Sequence, residues 1–134
     1  NREAFAAIDL ALVLQHTGES EQAKVLLDRS DTIVRTIPRM GPYGYGISDV
    51  AIHALRGDTP RALNYLREAL RVGWRGGWHG WRYHRDLDPN LASIRNEPEF
   101  KAVFADIERD MARQRADLAA RPKDAPLDLK GTGK

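Results

Sequence analysis

The chain contains no cysteine, which removes disulfides, thiolate metal sites and cysteine nucleophiles while leaving the redox compartment open. It has no apolar run near the roughly 20 residues that span a bilayer, so direct membrane insertion is not expected, and no secretory signal is visible at its start. Charge of one sign is scarce too. The 134 residues carry 21 Lys and Arg against 19 Asp and Glu, a formal net charge of +2, with the signs interspersed. Phosphate binding wants a concentrated basic face, so nucleic acid is not the default partner. No segment alternates apolar and polar residues as a half-buried strand does. Together these absences leave an all-α fold class. The chain opens on Asn1, already in a helical pattern and without an initiator methionine. It reads as a piece of a longer protein, cytoplasmic unless a membrane helix lies upstream.

Helical periodicity is what the chain has in quantity. Phe5, Ile8 and Leu12, with Ala4, Ala7 and Ala11 between them, predict a first helix over residues 3–16, stopped by Gly18. Ser20 is placed to cap a second helix reaching Ile37, with Ala23, Leu26, Leu27, Ser30, Ile33, Val34 and Ile37 on one stripe. After a Gly- and Pro-rich loop at 39–46, a third helix is expected over 47–56. Thr59 is placed to cap a fourth, with Pro60 at its first position and Leu63, Leu66, Ala69 and Leu70 inward. Gly73 ends it. The segment 73–85, with Trp74, Trp78 and Trp81 among glycines, shows no helical period. Asp88-Pro89 starts a short turn with Leu91 and Ile94 inward. Asn96 and Glu99 have capping-box spacing before the last helix, whose stripe is Phe100, Val103, Phe104, Ile107, Met111 and Leu118. Residues 1–120 form one domain, and 121–134 read as a disordered tail.

Two segments share a spacing. Gly18 is followed by Ala23 and Leu27, and Gly57 by Ala62 and Leu66, the copies lying 39 residues apart. A glycine for the tight turn, an alanine where two helix backbones approach and a leucine behind it are what a helical hairpin needs. With the downstream Gly73-Trp74, Asp88-Pro89-Asn90-Leu91, Ile94-Arg95 and Glu97-Pro98-Glu99-Phe100, this resembles the closing segment of tetratricopeptide (TPR) regions in bacterial multidomain regulators of winged-helix or nucleotide-cyclase type. Val50, the displaced Pro38 and Trp74 depart from the repeat pattern. The resemblance implies antiparallel helical hairpins in a superhelix with a long C-terminal helix, and a non-catalytic role in protein–protein interaction. It carries no catalytic or cofactor residue onto this chain. In such arrays the first helix of each hairpin lines a concave surface. That places Phe5, Ile8, Leu12, Gln15 and His16 there in one copy and Ile47, Ala51, Ala54 and Leu55 in the other. The second set is wholly apolar, so the last helix, another protomer or a partner should cover it.

Several constellations could carry chemistry. The Trp-rich segment with Tyr83, Arg75, Arg82 and Arg85 either covers the ends of the core or contacts a partner; stacking on bases is a third use of the same residues. His79, His84, Asp86 and Asp88 have no metal-ligand spacing and read as solvent-exposed polar residues. His53 reads as a partly buried histidine with one hydrogen bond, Asp49 orienting its ring. Tyr43 and Tyr45 pack at a helix start or line a groove. No catalytic, cofactor or metal residue is assigned. The candidate partner-binding set is Gln15, His16, Tyr43, Tyr45, Ile47, Ala51, Ala54, Leu55, Trp74, Trp78 and Trp81. The expected function is a non-catalytic interaction module of a larger bacterial signalling or transcriptional regulator, with a protein or peptide partner and homo-oligomerisation open. The alternative is a small-molecule or peptide sensor in which the Trp-rich loop, Tyr43, Tyr45 and His53 form a pocket.

Overall fold

Glycines fold the chain back on itself. A computed structural model describes residues 2–124, with helices α1 (Arg2–His16), α2 (Ser20–Val34), α3 (Ser48–Leu55), α4 (Thr59–Arg71), α5 (Gly80–Asp86) and α6 (Pro98–Ala119). Two 3₁₀ turns, Gly77–His79 and Pro89–Leu91, complete the regular structure, and there is no strand among the described residues. The fold is all-α. After α1, α3 and α4 the closing glycine has positive φ. The residue beyond it donates to the carbonyl five positions back: Glu19 to Leu14 (2.8 Å), Asp58 to His53 (2.9 Å) and Trp74 to Ala69 (2.9 Å). This closure satisfies carbonyls that the helix end would orphan and reverses the chain.

Two hairpins result, α1 with α2 and α3 with α4. Ala23 and Ala62 are fully buried where the paired helices meet, with Leu27 and Leu66 beside them. Ser30 Oγ donates to the Ala4 carbonyl (3.2 Å) across the first hairpin. The second hairpin is tied to the first by Gln15 Nε2, which donates to the Leu55 carbonyl (2.7 Å) at the end of α3. Arg56 adds bonds to Asp28 (2.7 Å) and Asp31 (3.0 Å). Burial pushes the Asp31 carboxyl up, but Arg35 and Arg56 together hold it below its ordinary value.

The apolar face of α3 is covered by the chain itself. The Pro89–Leu91 turn packs on α3, Leu91 and Ile94 are fully buried, and Ser93 Oγ donates to the Ala54 carbonyl (3.2 Å). Helix α6 packs elsewhere, on α4 and α5, burying Phe100, Val103, Phe104 and Ile107. Its outer edge is held by Arg67–Glu99 (2.5 Å) and Arg75–Asp110 (2.7 Å). The Arg75 guanidinium holds the Asp110 carboxyl below its ordinary value.

Several boundaries differ from the sequence reading. Helix α2 ends at Val34, three residues before Ile37. Asp58 caps α4 in place of Thr59, its carboxylate accepting from the Arg61 N–H (3.2 Å). An aspartate one residue before the first turn is the better acceptor there. Glu97, not Asn96, precedes α6, and it makes no side-chain cap bond, so no capping box forms. In α1 the inward residues are Ala4, Ile8 and Ala11; Phe5 faces partly outward and Leu12 is half-buried. Leu118 lies on the exposed end of α6. Segment 73–85 is largely helical, but its two elements are three and seven residues long, too short to show a 3.6-residue period. Of the expected tail, residues 125–134 lie outside the described residues.

Candidate functional site

Two glycine-bearing bends build the site. Gly44 lies where a Cβ would meet the Arg39 carbonyl oxygen at 2.3 Å, and a Cβ on Gly76, whose φ is +116°, would meet the Trp81 nitrogen at 2.2 Å. Neither clash can be relieved by a side-chain movement, so both bends require glycine. The first is locked by Arg39, whose guanidinium grips Asp49 in a two-pronged bond (2.9 and 2.5 Å) and also donates to the Gly46 carbonyl (2.7 Å). Burial pushes the Asp49 carboxyl above its ordinary value, and Arg39 offsets this in part. The same guanidinium lies 4.8 Å from the centre of the Tyr45 ring. Tyr45 is thereby fixed facing inward, while Tyr43, at the tip, is 86% exposed.

The second bend sets an aromatic wall. Trp74, buried behind it, meets His84 edge-on at 5.4 Å and Phe104 at 6.3 Å. His79, Tyr83 and His84 pack around one another at 5.0 to 6.5 Å. Trp81 is buried, with the guanidiniums of Arg82 (4.4 Å) and Arg85 (4.8 Å) over its ring. Arg75 holds the segment to α6 through Asp110 and returns a bond to the Trp74 carbonyl (2.8 Å). The arginines beside the tryptophans are thus engaged within the fold.

Polar residues then link the wall to α1. Asp88 caps the Pro89–Leu91 turn by accepting from the Asn90 N–H (3.0 Å), and its other oxygen is 2.8 Å from His84 Nδ1. Asn90 Nδ2 donates to Asp9 Oδ1 (2.9 Å), while the buried Asn90 Oδ1 has no partner. The expectation of solvent-exposed polar residues is therefore corrected for His84 and Asp88, which are half-buried and buried; His79 and Asp86 are exposed. Burial, then the charges of Asp88 and Asp9, raise the Tyr83 phenol above its usual value.

Between these parts lies a cleft of about 400 Å³. Helix α1 supplies Phe5, Ile8 and Asp9; the first bend supplies Tyr45, Ile47 and Ala51; the aromatic segment supplies Trp74, His79, Tyr83 and His84. Asp88 and Asn90 complete its polar edge. Of the residues selected from sequence, the cleft brings together Tyr45, Ile47, Ala51 and Trp74. Gln15 is spent on the Leu55 carbonyl, and His16 bonds the Leu12 carbonyl of its own helix (2.8 Å). Ala54 is buried and Leu55 half-buried. Tyr43 lies outside the cleft, and the Trp78 side chain is outside what the structure describes.

His53 is also elsewhere. It is fully buried against the Tyr65 ring at 5.2 Å, and neither ring nitrogen has a hydrogen-bond partner. Asp49 does not orient it, because Arg39 takes that carboxylate. Burial, with the nearby Arg56 charge, lowers its pKa. Among the described residues no group of three His, Asp or Glu side chains is arranged to hold a metal ion, and no helix is long and apolar enough to cross a membrane.

Sequence reasoning missed Asp9 and Asn90, while Phe5 and Ile8, expected on a concave surface, line this cleft. Phe5 and Asp9 are one helical turn apart, so a signal was present: an aromatic and a carboxylate on one face of α1. No protein-family model matches the chain, and neither a curated protein nor a solved structure does. The tetratricopeptide resemblance accordingly rests on the chain's own spacings.

Proposed function

We propose that the chain is a non-catalytic recognition module, a tetratricopeptide-like interaction domain of a larger bacterial signalling or transcriptional regulator, and that a protein or peptide partner enters the cleft. The observation that carries this reading is the cleft itself. It opens to solvent where α1 and two rigidly held bends meet, with aromatic walls and a polar edge on one side. Aromatic rings offer large contact area at low entropic cost, and a few fixed polar groups set orientation.

A random-peptide library selected on the full chain tests it. Selected peptides should lose affinity at least about tenfold on Phe5→Ala, roughly 1.4 kcal/mol, and be unaffected by Leu118→Ala at the far end of α6. Selection of no peptide, or of peptides indifferent to Phe5→Ala, would refute the reading. A small-molecule sensor is the second reading, favoured by the cleft volume, which falls within the roughly 300–1,000 Å³ range of small-ligand sites. It predicts saturable binding of compounds from a metabolite panel with no peptide selected.

A further inference from the structure

The cleft has an electrostatic sign. Its lining includes two carboxylates, Asp9 from α1 and Asp88 from the turn after α5, and no lysine or arginine among the described residues. Arginines of the neighbouring segments are engaged within the fold: Arg39 on Asp49, Arg75 on Asp110, Arg85 on Asp86 and Arg95 on the Asp88 carbonyl.

The two carboxylates are not equivalent. Both oxygens of Asp88 are engaged, one by the Asn90 N–H and one by His84. Asp9 accepts one bond, on Oδ1, and its Oδ2 carries no hydrogen bond or ion pair among the described residues. A second acceptor without a partner is the buried Asn90 Oδ1, on a residue that is 9% exposed and lines the cleft. A buried acceptor without a donor costs free energy until one arrives. Tyr45, Trp74 and Tyr83 line the same cleft, one of them, Tyr45, already beside the Arg39 guanidinium, and aromatic rings attract cations.

We propose that the cleft binds an organic cation, an alkylammonium or guanidinium group, with its charge against Asp9 and its alkyl stem along the aromatic wall. The group supplies a positive charge opposite Asp9 and N–H donors for acceptors left without a partner. In the recognition reading, on which this inference rests, it is a lysine or arginine side chain of the partner; the same chemistry could come from a free amine.

The test titrates the full chain, followed by backbone amide NMR, with three capped single residues: N-acetyl-lysine methylamide, N-acetyl-arginine methylamide and the uncharged isostere N-acetyl-norleucine methylamide. Butylammonium and agmatine stand for the free cations. Binding should shift Asp9, Tyr45 and Asn90 amides with at least about tenfold preference for the charged over the uncharged residue. Asp9→Asn should abolish that preference, whereas Asp86→Asn, outside the cleft, should retain it; a thermal melt of each variant confirms folding. Preference for the capped residues over the free cations assigns a protein source, and the reverse assigns a free amine. Equal binding of the norleucine probe, or no cleft shifts with any cation, overturns the inference. Selected peptides that bind the cleft without Lys or Arg would overturn it too while leaving the recognition reading standing. Failure to select any peptide at the cleft would sink that reading instead.

Discussion

The two hairpins carry the same spacing in different surroundings. Offset by 39 residues, Gly18 matches Gly57, Ala23 matches Ala62, Leu27 matches Leu66 and Ser30 matches Ala69, and each matched alanine, leucine and small residue is buried in both copies. The first helices diverge. Six consecutive residues of α3, Asp49 to Ala54, are buried, because α1, α2, α4 and the Pro89–Leu91 turn all pack on it. Only Ala4, Ile8 and Ala11 of α1 are buried, and Leu10 and Val13 face solvent. A shared turn chemistry thus fixes the hairpin. What later parts of the chain lay upon it fixes which helix becomes core.

The largest break comes from removing a later part. The four buried side chains of α6 contribute about 6–12 kcal/mol gross, comparable to a domain's net stability of about 5–15 kcal/mol. A chain ending at Asn96 should unfold or associate through exposed apolar surface, while one ending at Ala120 should melt and size like the parent. Thermal melting and sizing chromatography decide it.

The matched pair Ile52 and Val13 sharpens the comparison at one position. Ile52→Ala empties a fully buried site in α3 and should cost about 2–5 kcal/mol. Val13→Ala, its exposed counterpart in α1, should stay within about 0.5 kcal/mol. Equal denaturant midpoints would contradict the unequal burial. Where the copies agree, substitutions should agree: Ala23→Leu and Ala62→Leu both overpack a fully buried contact and should each cost about 1–3 kcal/mol.

His53, which matches the half-buried Leu14, gives the smallest effect. Its pKa is lowered from an ordinary 6.5 by burial, so below pH 6.5 the unfolded chain takes up a proton that the folded chain refuses. Stability is therefore full above that value and falls as pH drops toward the lowered folded value. His53→Phe, which keeps a ring against Tyr65, should flatten the dependence of the melting temperature between pH 7 and 5.

The helices were legible because apolar residues recur at helical steps and glycine marks their ends. The α6 stripe from Phe100 to Ile107 and the buried Ala23 and Ala62 could be read directly, but Leu118, read on the same stripe, faces solvent. The aromatic segment was not, since α5 is too short for periodicity and its partners are distant in sequence. Arg39's capture of Asp49, ten residues away, left His53 without its expected partner, and no local spacing encodes that choice. The cleft was only partly legible: Tyr45 and Trp74 stand out by residue type. Asp9 and Asn90, 81 residues apart, meet only once the Pro89–Leu91 turn lies against α1.

The central claim is that the working surface is this cleft and not the exposed apolar groove between α1 and α2. Chemical-shift mapping of a library-selected peptide on the isotope-labelled full chain tests it most directly. The account predicts the largest shifts at Asp9, Tyr45, Gly46, Trp74, Tyr83 and Asn90. Shifts confined to Ala6, Leu10, Leu26 and Ile33, the residues of that outer groove, would contradict it.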